Sequence, residues 1–535
     1  MIWRNLPKAY LQRELGDELL ARLEAVIPYL TDDEHDPELL FRDHVLGRLF
    51  DAFAAPRALR DKQFRRALIN SLPESTLDAL YAHMHWRAGD GDGFSEKQAR
   101  LSRSAWKRDG LAGAFVEVLD LPLSVLPVSG ESGTEATRLP ANKNPLRRLK
   151  DYQHQVYTEV LEALQPPNAR VVMQMPTGAG KTRTAVEVLS AFLDSGPGEA
   201  RRVAWLAHSS ELCDQASQAF EEVWAHYAPF DLTKYRHWGQ FSGMPQEGEE
   251  NWIWFSSLQK AFSLSQRGQL PKADLVVIDE AHKVLAPTYS AAVLGTQAPS
   301  GRILGLTATP GRALLNDQAN QALADFFFGR KVGIRGGEGD PIGFLRKKGV
   351  LSTLRRELLQ TSSEVRWDWN PNATDIPKEV LLKLGRDDLR SVQIAKVLAR
   401  HAEEGRSCLL FATSVENSEF IVAALTFLGI RCAHVDGETP RSDREAMIRD
   451  FRDRKIQVLS NFGVLSTGFD APKIDVVCIA RPTTSVVLYS QMLGRGLRGP
   501  AIGGTEKCIL VDVRDNVVGL PDEESIYHFF DDYFV

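Results

Sequence analysis

The stretch Val171-Val-Met-Gln-Met-Pro-Thr-Gly-Ala-Gly-Lys-Thr182 decides the fold, because it joins patterns of two different secondary structures. Residues 171–175 form a short, mostly apolar run of the kind found in buried strands. Residues 183–193 repeat apolar side chains at helical spacing. A glycine-rich turn between a strand and a helix points backbone N–H groups at phosphate oxygens, and the helix N-terminus adds to that attraction. The stretch therefore predicts a phosphate-binding loop on a parallel sheet.

The residue types in this loop suit a nucleoside triphosphate. We expect Lys181 to bind the β- and γ-phosphates and the Thr182 hydroxyl to ligate Mg²⁺. The usual pattern begins with glycine, where this chain has Met175, but the flanking strand and helix provide the context that the loop requires. The other predicted phosphate-loop residues are Thr177, Gly178, Ala179 and Gly180.

Two carboxylates end a second apolar run. Asp279 and Glu280 directly follow residues 275–278. Open α/β sheets bind ligands beyond the carboxyl ends of their strands. We therefore expect Asp279 to hold Mg²⁺, and Glu280 to orient and deprotonate the attacking water. An Asp-Glu pair alone also begins many solvated helices, so the phosphate loop is what favours the metal site.

The chain divides into five segments by its hydrophobic patterns. Helical spacing comes first, then a Ser/Gly/Glu/Thr-rich stretch, and then short apolar runs that alternate with helical patterns in two blocks. This alternation predicts two parallel-sheet units. The predicted segments are a helical accessory domain (1–128), a linker (129–146), a first α/β domain (147–312), a helical connector (313–390) and a second α/β domain (391–535).

Composition limits the kinds of partner. The 535 residues carry a formal net charge of -6, so a nucleic-acid site here is a local groove and not a basic face of the whole protein. No apolar run is long enough to span a membrane, and the N-terminus lacks a signal-peptide core. The five cysteines show no C-x-x-C spacing, which favours buried thiols over metal ligation. We expect a cytoplasmic protein that does not bind membranes.

Further motifs follow the order found in superfamily 2 helicases of the DEAD/DEAH class. Over residues 147–515 the chain most resembles restriction-enzyme motor subunits and DNA repair helicases. The segments that carry the resemblance, besides the phosphate loop, are Leu149-Lys-Asp-Tyr-Gln153, Ala207-His-Ser-Ser-Glu-Leu212, Phe255-Ser-Ser-Leu-Gln259, Asp279-Glu-Ala-His282, Thr307-Ala-Thr-Pro310, Leu410-Phe-Ala-Thr-Ser414, Ser466-Thr-Gly-Phe-Asp470 and Gln491-Met-Leu-Gly-Arg-Gly-Leu-Arg498. The resemblance implies an α/β fold with two tandem RecA-like parallel-sheet motor domains, and ATP and Mg²⁺ as cofactors.

The resemblance also implies roles for single residues. Gln153 would read the adenine, and Arg495 and Arg498 would reach the phosphates from the second domain. The other implied nucleotide-site residues are His282, Gly468, Asp470 and Gln491. The implied nucleic-acid contacts are Ser209, Ser257, Thr413, Ser414 and Ser466, although isolated hydroxyls are more often helix caps.

The spacing of Gln491, Arg495 and Arg498 places all three on one face, if the segment is a helix. Gly494 and Gly496 would make that helix a poor one, because glycine costs about 1 kcal/mol in a helix interior. A surface charge cluster is the alternative to a nucleotide-site role.

The function that fits best is an ATP-dependent DNA helicase or translocase, plausibly the motor of a bacterial defence or repair system. Two alternatives stay open. One is an RNA helicase, and the other is an ATP-gated DNA clamp that recruits a nuclease partner. The expected partners are DNA, with RNA not excluded, and a nuclease or another defence or repair subunit.

The N-terminal region carries none of the motor motifs. Two basic clusters, Arg57 to Arg66 and Arg100 to Arg108, are compatible with duplex contact. Trp86 and Trp106 suit either a protein interface or a core. We expect this region to load the motor onto DNA or to dock a partner, and we expect its deletion to leave a soluble, basal ATPase.

Overall fold

The computed structural model of this chain describes residues 3, 6–31, 40, 42–84, 93–107, 109–119, 121, 125–126, 134–140, 148–194, 201–227, 230–309, 317–336, 340–361, 375–465 and 473–514. Its helices are α1 Lys8–Leu15, α2 Asp17–Leu30, α3 Asp43–Phe53, α4 Ala55–Ala58, α5 Lys62–Ser71, α6 Glu74–His83, α7 Phe94–Arg103, α8 Leu111–Leu119, α9 Asp151–Ala163, α10 Lys181–Asp194, α11 Ser210–Tyr227, α12 Leu258–Ser265, α13 Pro287–Thr296, α14 Asp317–Phe326, α15 Pro341–Lys347, α16 Lys378–Gly385, α17 Asp388–Glu403, α18 Val415–Phe427, α19 Arg441–Arg452 and α20 Val486–Leu493. Its strands are β1 Ala136–Leu139, β2 Arg170–Gln174, β3 Arg201–Ala207, β4 Leu232–His237, β5 Asn251–Ser257, β6 Ala273–Asp279, β7 Gln297–Thr307, β8 Lys331–Gly333, β9 Thr353–Gln360, β10 Cys408–Phe411, β11 Cys432–Val435, β12 Val458–Asn461, β13 Val476–Ile479 and β14 Lys507–Arg514.

The first sheet carries the phosphate-binding segment at the end of β2, which lies one strand in from the edge strand β8. Its strand order within the described residues is β1-β4-β5-β3-β6-β7-β2-β8. All neighbours pair in parallel except β1, which runs antiparallel to β4 at the edge. The central strands are buried on both faces, as apolar runs such as Leu275 to Ile278 predict.

The second sheet is parallel throughout. Its order within the described residues is β11-β12-β10-β13-β14-β9. Helices cover both faces, and their apolar side chains join those of the strands in continuous cores. Two parallel-sheet domains with an N-terminal helical region are therefore confirmed.

Two predicted connecting segments contain strands. Residues 136–139, inside the predicted linker, form the edge strand β1. The predicted helical connector contributes β8 to the first sheet and β9 to the second, so a purely helical connector is wrong. The strand β9 shows why: apart from one break at Arg355 and Arg356, its burial alternates, and alternation is a strand pattern. His401 of α17 anchors this strand, with Nε2 3.1 Å from a carboxylate oxygen of Glu357.

The N-terminal helices pack on the second sheet domain. Helices α2 and α3 lie against α17 and α18, and Leu23, Ile27 and Phe50 share one apolar core with Phe420. Arg22 Nη2 lies 2.6 Å from Asp388 Oδ1, and its guanidinium stacks over the Phe420 ring at 4.5 Å. Deleting residues 1–128 would uncover this apolar face. The expectation that the truncated chain is a soluble ATPase is therefore revised. We now expect the truncated chain to aggregate.

The basic residues of this region serve internal contacts. Arg60 pairs with Asp443 of α19 at 2.6 Å. The buried Arg65 donates to the carbonyls of Leu59 and Arg60. The half-buried Trp106 packs edge-on against Phe115, as a core residue does. Duplex contact by a cluster that includes Arg60 and Arg65 is therefore not supported, and Trp86 lies outside the described residues.

Candidate nucleotide site and nucleic-acid interface

Three neighbouring strands bring the predicted nucleotide residues together. Gln174 at the end of β2 pairs with Thr307 at the end of β7, and Asp279 at the end of β6 pairs with Leu306. The phosphate loop, the carboxylate pair and the segment after Thr307 therefore meet at one edge of the first sheet. The Met175 N–H donates to the Thr307 carbonyl at 3.1 Å, and this hydrogen bond joins the start of the phosphate loop to the end of β7.

The phosphate loop depends on its two glycines. Gly178 has φ 87° and Gly180 has φ 85°, in the left-handed region that glycine enters without strain. The Tyr152 hydroxyl donates to the Ala179 carbonyl at 3.0 Å and holds the loop from α9. Helix α10 begins at Lys181, so its unpaired N-terminal N–H groups lie next to the turn.

Gln153, which the resemblance assigns to adenine, lies against the phosphate loop. Its Nε2 is 3.3 Å from the Thr184 hydroxyl and 3.5 Å from the Gly180 carbonyl. Its Oε1 accepts from the Lys150 N–H at 3.1 Å. A cavity of about 310 Å³ opens beside this first turn of α9, lined by Lys150, Asp151, Tyr152, Phe344, Lys348 and Val350.

One lysine faces both predicted carboxylates. Lys181 Nζ lies 3.5 Å from Glu280 Oε1 and 3.8 Å from Asp279 Oδ1. Burial alone would raise the pKa of Glu280, but Lys181 and the other basic side chains around it together outweigh burial, and the pKa falls below its usual range. Burial raises the pKa of Asp279 above its usual range, although Lys181 opposes the rise.

The backbone at Glu280 is strained. Its φ of 56° is left-handed, which costs a non-glycine residue about 1–3 kcal/mol. His282 Nδ1 lies 3.3 Å from Glu280 Oε2, and burial lowers the pKa of His282 to about 3. The histidine is therefore neutral at physiological pH. Such strain beside a buried charged group is typical of functional sites.

The donor set fits a magnesium ion. Magnesium takes oxygen ligands and is usually held by one or two carboxylates together with substrate phosphates. The buried Asp279 carboxylate lies at the edge of the sheet where the phosphate loop ends. Its raised pKa reflects a desolvated anion, which a divalent cation would stabilise. Thr182, in the first turn of α10, offers a hydroxyl at the same edge.

The second motor domain closes over the phosphate loop. Arg498 Cγ is 3.4 Å from the position that a Cβ on Gly178 would occupy. The negative charge of Glu280 favours the charged form of Arg495 and so raises the pKa of its guanidinium. Burial lowers the pKa of each arginine to about 10, so both stay charged at neutral pH. The two arginines thus face the predicted nucleotide site from the opposite domain.

The predicted single helix face for Gln491, Arg495 and Arg498 is wrong. Helix α20 ends at Leu493, Arg495 lies in the following turn, and Arg498 forms an antiparallel bridge with Leu351. Two glycines end the helix, since each costs about 1 kcal/mol in a helix interior. Only Gln491 lies on α20, where it is buried.

Sequence reasoning missed the segment that holds Arg498. The Ser352 N–H donates to the Leu497 carbonyl at 2.9 Å, and its hydroxyl donates to the Arg498 carbonyl at 2.6 Å. The Gly499 N–H donates to Val350 at 2.8 Å. No motif marks these connector residues, because all of these contacts except that of the Ser352 hydroxyl are made by backbone groups that any sequence supplies.

The predicted nucleic-acid hydroxyls lie at strand ends but cap helices. Ser257 accepts from the Lys260 N–H, Ser414 from the Asn417 N–H, and Ser209 from the Leu212 N–H. Thr413 is 1% exposed. A Cβ on Gly385 of α16 would come 2.8 Å from the Thr413 hydroxyl, so α16 covers this residue. Three further predicted site residues, Ser466, Gly468 and Asp470, lie outside the described residues.

Two family models match the segments of the chain that contain most of the candidate site residues. Residues 147–312 match the res subunit of type III restriction enzymes, and residues 390–499 match the helicase conserved C-terminal domain. The chain is a superfamily 2 helicase of the restriction-motor type. Its domains are those of nucleic-acid-dependent ATP hydrolases, so this helicase is an ATP-using enzyme that binds nucleic acid.

Known relatives match about two thirds of this helicase. A 51.5 kDa protein of a Lactococcus phage is 27% identical over 367 residues, 68% of this chain and 69% of that protein. A Schizosaccharomyces pombe protein that bears the name mitochondrial ATP-dependent helicase irc3 is 26% identical over 69% of this chain and 58% of its own length. The chain thus spans little more than half of the fission-yeast relative.

Solved structures of low similarity include the type ISP restriction-modification enzyme LlaBIII bound to DNA, with a TM-score of 0.49 and 15% identity over 73% of this chain and 29% of that chain. Within the described residues, no helix combines the length and apolar character needed to cross a membrane.

Proposed function

We propose that this helicase is a DNA translocase that couples ATP hydrolysis to movement along or remodelling of DNA. The observation that carries the proposal is the assembly of Lys181, Glu280 and Arg495 around one site from two domains. A site divided between two domains is complete only when the cleft is closed, so each hydrolysis cycle changes the relative position of the domains.

In the proposed site, each residue has one task. Lys181 neutralises the phosphate oxygens, and Glu280 orients and deprotonates the attacking water. Arg495 and Arg498 stabilise charge on the transferred γ-phosphoryl group. Thr182 and Asp279 would hold Mg²⁺, which would neutralise phosphate charge when bound.

The remaining nucleotide residues are proposed to position ATP. Gln153 reads the adenine edge and, through Gly180, senses the phosphate loop. The cavity beside α9 offers space for the base, and Phe344 is an aromatic side chain in its wall. His282 and Gln491 are proposed to contribute to the site. The resemblance adds Gly468 and Asp470, which lie outside the described residues.

Nucleic acid is proposed to cross the strand ends of both sheets. Ser257 ends β5, and Ser209 follows the adjacent strand β3, whose last residue pairs with Ser257. Thr413 and Ser414 follow β10 in the second domain, and Ser466 is proposed to join them. Because capping hydroxyls are already engaged, phosphates would meet mainly the N–H groups of the helix starts. Contact with Thr413 requires α16 to shift.

The choice of DNA is supported by the restriction-enzyme model matched by residues 147–312. We propose a role in bacterial defence or repair beside a separate nuclease or similar subunit, in the cytoplasm. The five predicted segments stay a proposal, except that β1, β8 and β9 extend the two sheets into the linker and the connector. Four of the five cysteines are buried and none forms a disulfide bond, as suits a reducing compartment.

The test compares ATP turnover on single-stranded DNA, duplex DNA, forked DNA and RNA. A DNA translocase should be stimulated by DNA, with turnover that rises with DNA length. The stimulation should weaken with salt, because phosphate contacts release counterions. Strong stimulation by RNA alone would favour an RNA helicase, and turnover independent of length would favour an ATP-gated clamp.

A further inference from the structure

Two ion pairs connect the motor domains away from the nucleotide site. Arg441 Nη2 lies 2.5 Å from Asp214 Oδ2, and Arg444 Nη1 lies 2.9 Å from Glu211 Oε1. The arginines belong to α19 of the second domain, and the carboxylates belong to α11 of the first. We call these two pairs the α19–α11 latch. Any change in the separation of the domains must lengthen or break them.

The arginines are oriented on their own side of the cleft. Arg444 Nη2 donates to the carbonyls of Asp436 at 3.3 Å and Thr439 at 3.2 Å. Arg441 Nε donates to Glu445 at 2.9 Å. The Arg444 side chain is only 15% exposed. This partial burial reduces screening by salt and lowers the entropy cost of holding the pair, so the latch is stronger than two freely exposed pairs.

A third ion pair links the latch to the N-terminal domain. Arg60 Nη2 lies 2.6 Å from Asp443 Oδ2, and the Asp443 side chain is 8% exposed. Asp443 stands between Arg441 and Arg444 in the first turn of α19. Arg60 therefore ties the N-terminal domain to the helix turn that presents both arginines to α11.

The N-terminal domain holds Arg60 in place. The ion pair between Arg22 and Asp388 and the shared apolar core fix this domain to α17 and α18. Both family matches begin after residue 146, so they assign this domain no role. Its contacts nevertheless extend to α19, the helix whose arginines form ion pairs across the cleft.

We propose that the N-terminal helical domain moves as one body with the second motor domain and, through the positioning residue Arg60, strengthens the α19–α11 latch. The latch stabilises the closed arrangement of the motor domains in the absence of nucleic acid. This inference rests on the proposed motor function for its effect on turnover, but not for its effect on domain separation.

The experiment measures domain separation in the full chain by fluorescence energy transfer. Dyes are attached at Gln266→Cys and Asp453→Cys, two exposed positions in different motor domains, and the parent chain reports labelling of native thiols. Neutralising the first-domain side of the latch (Glu211→Gln with Asp214→Asn) should raise the ratio of open to closed molecules about 3- to 10-fold. Arg60→Gln should shift it in the same direction by a smaller factor.

Matched controls separate the latch from general charge effects. Glu222→Gln on the exposed side of α11 and Lys62→Gln beside Arg60 should leave the ratio unchanged. Exchanging the charges of one pair (Asp214→Arg with Arg441→Asp) keeps the attraction between the two helices. The ratio of open to closed molecules should therefore be that of the unmodified chain. An unchanged ratio in the neutralised variant, or an Arg60→Gln ratio equal to that of Lys62→Gln, would overturn the inference. Absence of nucleic-acid-stimulated turnover in the unmodified chain would instead count against the motor function.

Discussion

Gly494 of the second motor domain and Thr177 of the phosphate loop meet across the cleft, so closely that a Cβ on Gly494 would overlap the Cβ of Thr177. The backbone of Gly494 has φ −59° and ψ −15°, a conformation that alanine adopts readily. The opposite domain therefore sets the tightest limit on a side chain here, ahead of the Ser490 carbonyl of the same domain, which a Cβ would approach to 2.9 Å.

Gly494→Ala should hinder closure of the cleft while the protein still folds. The added methyl group obstructs the closed arrangement, so we expect kcat for ATP hydrolysis to fall about 100-fold, a loss typical of misplaced catalytic groups. The melting temperature should not fall. Gly437→Ala is the control, because its Cβ would point into open space and turnover should stay normal. Normal kcat in Gly494→Ala would show that the enzyme turns over without this contact.

Arg498→Ala should reduce kcat about 100-fold or more while the affinity for nucleotide changes little. The side chain acts mainly when charge develops on the γ-phosphoryl group, and the phosphate loop binds ATP from the other domain. Single-turnover hydrolysis and binding of a fluorescent nucleotide measure the two quantities separately. Weak binding with normal kcat would sink the role of this arginine in the transition state.

Asp51 should make stability depend on pH. Its carboxylate accepts from the Trp3 indole, and burial raises its pKa from 3.8 to about 6. Between these values the folded chain binds more protons than the unfolded chain, so this group lowers the free energy of unfolding as pH rises from about 4 to 6.

Asp51→Asn keeps the acceptor and removes the charge. It should therefore raise the melting temperature more at pH 7.5 than at pH 4.5. The exposed Asp43 lies on the same helix, and Asp43→Asn is the matched control. Equal shifts of the Asp51→Asn melting temperature at both pH values would refute a buried charge at this position.

Local pattern was enough to predict the elements that carry the candidate nucleotide site. The predicted strand 171–175 matches β2 within one residue at each end, and Lys181 begins the helix that follows. Asp279 ends β6 as predicted. These elements could be predicted because strand, turn and helix are adjacent in sequence and because parallel strands end at a common edge.

The remaining features depend on contacts between distant segments. Nothing local indicates that Leu351 and Ser352 hold Arg498, or that α16 covers Thr413. Helix α18 did carry an unused signal: its side chains from Phe420 to Leu425 are all buried. A helix that is apolar on every side needs a second layer, which α2 and α3 provide.

The most direct test of the central claim is steady-state ATP hydrolysis by the full chain with and without nucleic acid, beside the Lys181→Ala variant. Lys181 carries phosphate charge and does not pack in the core, so the variant should fold normally and hydrolyse ATP only at background rate. The account predicts that hydrolysis by the unmodified chain is stimulated by DNA and that the Lys181→Ala variant shows no stimulation. Hydrolysis by a folded Lys181→Ala protein at near the unmodified rate would contradict it.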